Sequence, residues 1–78
     1  MTRQYKLFKV SNNKEKLVKI FGTMQEAEHK VRNILGLREF QNCDYMELFD
    51  GVMCIGMDFT KDGDCIFRIK KEVQWNDV

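Results

Sequence analysis

Residues 22–37 read GTMQEAEHKVRNILGL, and this stretch decides the fold. Thr23 and Glu26 stand three apart, the spacing of a capping box: a hydroxyl placed for the third helical amide and a carboxylate that reaches back to the cap. Met24, Ala27, Val31, Ile34 and Leu35 then fall on one face at helical spacing. Gly36 suits the left-handed position that closes a helix, and Leu37 can pack back on the last turn. The pattern predicts one helix over about residues 23–35.

The segments on either side read as strands. Runs near 4–10, 16–22, 44–49, 52–59 and 64–74 are separated by turn signals: SNNK at 11–14, DG at 50–51 and KDG at 61–63. The order is ββαβββ. Directly opposed residues of an antiparallel pair point to the same side, so a turn length can be tested by what it brings together. A two-residue Asp50-Gly51 turn opposes Leu48 to Met53 and Met46 to Ile55. A three-residue Lys61-Asp62-Gly63 loop opposes Met57 to Phe67 and Ile55 to Ile69, whereas a two-residue turn there would set Met57 against Arg68. An Asn12-Asn13 turn opposes Tyr5 to Ile20 and Leu7 to Val18. The expected core is therefore Tyr5, Leu7, Val18, Ile20, Met46, Leu48, Met53, Ile55, Met57, Phe59, Phe67 and Ile69, with Val73, Trp75 and the helical stripe. The fold expected is an α+β two-layer sandwich, a mainly antiparallel sheet of about five strands with one helix across one face.

Seventy-eight residues suffice for one domain spanning 1–78, without a second core. A chain that is 44% hydrophobic and 32% charged is a folded globule rather than a disordered segment. No apolar run approaches the roughly 18–20 residues that span a bilayer. The start, MTRQYKLFKV, is basic but has neither an apolar stretch nor a small-residue cleavage site, so a cytoplasmic location is expected. Three cysteines cannot all pair within one chain, which fits a reducing compartment. A domain this small relies on its core alone, and self-association would help it.

The cysteines recur every eleven residues, at Cys43, Cys54 and Cys65. Parity along the strands places Cys65 with Phe67 and Ile69 in the core and Cys54 on the opposite side, so the two share neither a metal nor a disulfide. There is no CxxC, and His29 is the only histidine. A Cys₃His zinc site can be counted but lacks the usual ligand spacing. No nucleophile stands beside a base. Asp50, Asp62 and Asp64 sit at turns, where Asp is expected for local backbone reasons. DFTKDGD lacks the alternating ligands and terminal Glu of a calcium loop, and the five glycines form no phosphate-binding loop. These absences argue against an enzyme, a metal and a cofactor.

The face of the sheet away from the helix is expected to carry Phe8, Val10, Leu17 and Phe21 interleaved with Lys6 and Lys19. Tyr45, Phe49, Val52, Cys54 and Ile66 would join them from the last three strands. An apolar patch with a charged rim marks a protein interface, for a partner or for a homodimer. The expected function is a small non-enzymatic protein-binding module, a regulator or inhibitor that works by contact through that outer face. Charge offers an alternative. Residues 1–40 carry nine Lys/Arg against four Asp/Glu, and residues 41–78 carry four against eight. The basic N-terminal hairpin, with Lys6, Lys9, Lys14, Lys16 and Lys19 and a ring at Tyr5 or Phe8, could hold nucleic acid. The net charge of +1 and the lack of RNA-binding motifs weigh against that. In size and lack of motifs the chain is similar to small phage-encoded or mobile-element inhibitors, which act by occupying a host protein.

Overall fold

A computed structural model describes residues 2–74. The elements are β1 (Thr2–Ser11), β2 (Lys14–Phe21), α1 (Met24–Leu35), α2 (Leu37–Gln41), β3 (Asp44–Asp50), β4 (Met53–Lys61) and β5 (Asp64–Gln74). The strands form one antiparallel sheet in the order β2-β1-β5-β4-β3. The chain is thus an α+β protein in which β5 holds the centre between β1 and β4, and β2 and β3 form the two edges. The helical connection runs from one edge to the other. It buries Ala27 and Val31 against Leu7, Met57, Phe59, Phe67 and Ile69.

The signals at the ends of α1 act as their chemistry dictates. The Thr23 hydroxyl accepts the Glu26 N–H at 3.2 Å. Gly36 takes φ 81°, and its N–H donates to the Arg32 carbonyl at 2.8 Å. The chain does not leave the helical layer there. It turns at Gly36 into α2, so two helices stand where the sequence predicts one. Five residues are too few to display a helical period, but Phe40 of this turn lies 5.9 Å from Phe59, ring centre to ring centre.

Each hairpin closes on two residues. Asn12 and Asn13 both have positive φ, as do Asp62 and Gly63, the arrangement of type I′ turns. The β3–β4 turn is Gly51-Val52, one residue beyond the Asp50-Gly51 turn expected, with positive φ at Gly51. Each hairpin also carries one β-bulge. The extra residue is Val18 in β2, Ile55 in β4 and Ile66 in β5. A bulge shifts the pairing beyond it by one residue. Tyr5 therefore opposes Phe21 rather than Ile20, and Leu7 opposes Lys19 rather than Val18. Leu48 opposes Gly56, and Met46 opposes Asp58. The Asp62-Gly63 turn combined with the Ile66 bulge opposes Met57 to Ile69 and Phe59 to Phe67, so the three-residue loop is not needed.

These shifts correct the expected core. Leu7, Met57, Phe59, Phe67 and Ile69 are buried, and Tyr5 packs beside them. Val18, Ile20, Ile34, Met46, Met53 and Ile55 are exposed instead, and Leu48 is half-buried. Phe21 and Ile66 take part in the core, although the sequence pattern points them outward, and Phe40 joins them from α2. Val73 is half-buried, and Trp75 lies outside the described residues.

Candidate functional site

The outer face of the sheet is organised by charge. Lys6 reaches Glu72 at 2.9 Å, and Lys70 reaches Glu15 at 2.9 Å. Arg68 grips Asp58 through two parallel contacts of 2.7 and 3.2 Å and lies 3.9 Å from Glu15. Three cations and three carboxylates thus neutralise one another across β2, β1, β5 and β4. Exposed pairs of this kind contribute little stability each, but they leave the outer side of these four strands with no net charge to offer; the outward carboxylates outside these pairs, Asp44 and Asp50, lie on β3. Lys70 Nζ also sits 5.1 Å from the centre of the Phe8 ring. The hydrogen bonds to Asp58 push the Arg68 guanidinium pKa further up, so this cation stays charged at any working pH.

The residues expected on this face divide. Phe8, Val10 and Leu17 lie on it: Phe8 opposes Leu17, and Val10 opposes Glu15. Phe8 and Val10 are half-buried, and Leu17 is exposed. Lys6 shares the face but is held by Glu72. Phe21 lies on the helical side with Tyr5, and Lys19 goes with it, its Nζ 5.4 Å from the Phe21 ring centre. Tyr45 and Phe49 alternate with Glu47 on the helical side, Tyr45 opposing the buried Phe59. Ile66 packs on the core. In exchange, Ile20, Met46 and Leu48 appear on the outer side, opposite Lys6, Asp58 and Gly56.

The five lysines of the basic hairpin do not form one patch. Lys6 is on the outer face, whereas Lys9, Lys14, Lys16 and Lys19 share the helical side. Lys9 directly opposes Lys16, an unfavourable pairing of like charges. Neither forms an ion pair among the described residues.

All three cysteines are free thiols. Cys54 and Cys65 lie on opposite sides of the sheet, as parity predicts, but with the sides exchanged. Cys54 opposes Phe49, and the Ile66 bulge turns Cys65 outward to a 4.0 Å contact with Arg68 Nη2. Burial, with help from the Asp58 charge, pushes the Cys65 thiol pKa up, so it is a poor nucleophile. Among the described residues no group of three or more His, Cys, Asp or Glu is placed to hold a metal, and no helix is long and apolar enough to cross a membrane.

No family model, curated protein or solved structure matches this chain. Its surface therefore has to be read on its own chemistry. The exposed apolar area gathers at the β3–β4 hairpin. Tyr45 is 65% exposed, Met46 60%, Phe49 57% and Met53 54%, and Val52 at the turn is fully exposed. Interleaved with them, Asp44, Glu47 and Asp50 form no ion pair among the described residues. Glu28 on α1 belongs to the same group: burial raises its carboxyl pKa, Glu47 raises it further, and His29 opposes both. No sequence signal separates this hairpin from a core strand. DYMELFD is apolar on both faces, which ordinarily means a strand covered on both sides.

Proposed function

We propose that the protein is a non-enzymatic binding module, a regulator or inhibitor that acts by contact with another protein. The observation that carries this reading is the run of exposed aromatic and aliphatic side chains along the β3–β4 hairpin, beside carboxylates that form no ion pair among the described residues. Aromatics and methionine with a polar rim are the composition of an interface core. A two-layer sandwich whose helical layer stops short of β3 suits this reading, because it leaves that edge of the hairpin uncovered. The outer-face residues Phe8, Val10, Leu17 and Lys6 are less suited to an incoming partner, since Lys70 and Glu72 already engage two of them. A cytoplasmic setting agrees with three free thiols.

The test is affinity capture from a cell lysate, with and without nuclease, at low and moderate salt. Wild type is compared with a Tyr45→Ser/Phe49→Ser double variant. A stoichiometric protein that survives nuclease and salt and is lost with the double variant is the expected result. The variant should keep its melting temperature. The opposed Lys9 and Lys16 favour one second reading, a nucleic-acid partner at the basic hairpin. Binding would then vanish with nuclease and fall steeply with salt, because lysine–phosphate contacts release counterions.

A further inference from the structure

We infer that the β3 edge receives an extended basic segment of another protein, which continues the sheet as a sixth strand; this rests on the binding-module reading above. Among the described residues, β3 has a neighbour on one side only, β4. Its other ladder of N–H and C=O groups is open, and an open ladder is a template for an added strand. The side chains specify what is added. DYMELFD places an acid at its first, fourth and seventh positions, Asp44, Glu47 and Asp50, with Tyr45, Met46, Leu48 and Phe49 between them. Opposed residues of neighbouring strands share a face. The complementary seven-residue strand therefore has a basic residue at its first, fourth and seventh positions and apolar residues between.

The pattern of β3 reads the same in both directions, so charge does not fix whether the added strand runs parallel or antiparallel. The same symmetry argues against a second copy of β3. Antiparallel pairing centred on Glu47 would set Glu47 against Glu47 and each Asp44 against Asp50, three like-charge contacts. The outward carboxylates of β2, β4 and β5, namely Glu15, Asp58 and Glu72, are each matched by a cation within the molecule. Those of β3 form no ion pair among the described residues, which leaves them for cations from outside.

The probe is an end-blocked heptapeptide with lysine at the first, fourth and seventh positions and valine between, titrated into the ¹⁵N-labelled full chain. A peptide of the same composition with the lysines moved to the first, third and sixth positions is the control. The expected result is amide shifts confined to β3 and its neighbours. Affinity should be lower by about tenfold or more for the control peptide and for Glu47→Lys, and unchanged within about twofold for Lys16→Glu on the far edge. An Asp44→Asn/Asp50→Asn variant gives the same test should Glu47→Lys fail to fold. Equal affinity for the two peptides overturns the inference. So do shifts centred on β2 or the outer face, or reversible dimerisation of the protein alone through β3. The lysate capture repeated with Glu47→Lys separates this inference from the reading beneath it. A partner retained by that variant leaves the module reading intact and removes the edge from it. A wild type that captures no protein removes the module reading, while the peptide titration still judges the edge.

Discussion

The two edges of this sheet face opposite problems. β2 reads KEKLVKIF: three lysines, an exposed face along nearly its whole length and a bulge at Val18. Lysines and bulges are the devices by which natural sheets keep an edge from pairing with another chain. β3 reads DYMELFD, has no lysine, and its hairpin's bulge lies in β4 rather than in β3 itself. One edge is guarded and the other is open, in the same small sheet. An edge left open beside a guarded one is the end at which a partner is expected.

The largest effect is expected where both edges depend on one contact. Ile69 is fully buried at the central pairing of β5 with β1. Ile69→Ala should cost about 3 kcal/mol, or ~15 °C in melting temperature for a domain of this size. A calorimetric loss of only a few degrees would mean that the two halves of the sheet stand independently.

Gly56→Ala separates the edges. A Cβ at Gly56 would lie 2.5 Å from the Ile69 carbonyl oxygen, on the backbone of the neighbouring strand. β4 and β5 would have to part, at a cost of about 2 kcal/mol. Hydrogen exchange should show protection lost in β3 and β4 and retained in β1 and β2. Uniform loss across the sheet would contradict a hairpin that hinges on this one approach.

Exchanging the edges' side chains should change association more than stability. Tyr45→Lys/Phe49→Lys gives β3 the guard that β2 has, and these exposed positions should shift stability by about 0.5 kcal/mol or less. Sedimentation with a captured partner should show the complex lost. The reverse variant, Lys14→Thr/Lys16→Thr/Lys19→Thr, should raise the mass seen by light scattering as β2 begins to pair. A monomeric triple variant would show that the bulge alone guards that edge.

The smallest effect concerns pH. The Glu28 carboxyl is raised by burial first and by Glu47 second. A carboxyl with a raised pKa binds its proton more tightly in the folded chain than in the unfolded one. Its charged form therefore costs stability at neutral pH, and that cost is relieved as pH falls through the raised value toward the ordinary carboxylate range. Glu28→Gln should melt slightly higher than wild type at pH 7, and the difference should disappear near pH 4. A difference independent of pH would assign the effect to packing.

The sequence carries local structure well and facing poorly. Thr23, Glu26 and Gly36 mark α1 because capping is chemistry within a few residues. Asn12-Asn13 and Asp62-Gly63 mark turns because positive φ selects those residue types. The bulges at Val18, Ile55 and Ile66 leave no such mark: a β-branched residue suits a bulge and a regular strand alike. Each bulge reverses the assignment of everything beyond it. This is why Phe21 and Tyr45 change sides, why Ile20 and Met46 go to solvent, and why Cys54 and Cys65 trade faces while remaining apart. For the candidate site, the sequence supplies the idea of exposed apolar residues beside charge. It could not supply their position, because whether a strand lies at an edge is a property of strand order.

The central pairing also sets how the chain comes together. Residues 2–9 of β1 lie against residues 67–74 of β5, so the middle of the sheet forms only when segments some sixty residues apart meet. Contacts between such distant segments slow folding, because the connecting chain loses its freedom before the contact gains anything. The chain contains no proline, so the slow isomerisation that often limits refolding has no substrate here. Joining β1 to β5 is then the slowest event left, and until it happens the β1–β2 hairpin and the β3–β4–β5 meander are separate pieces, the first with β1 unguarded and the second with both β3 and β5 unguarded.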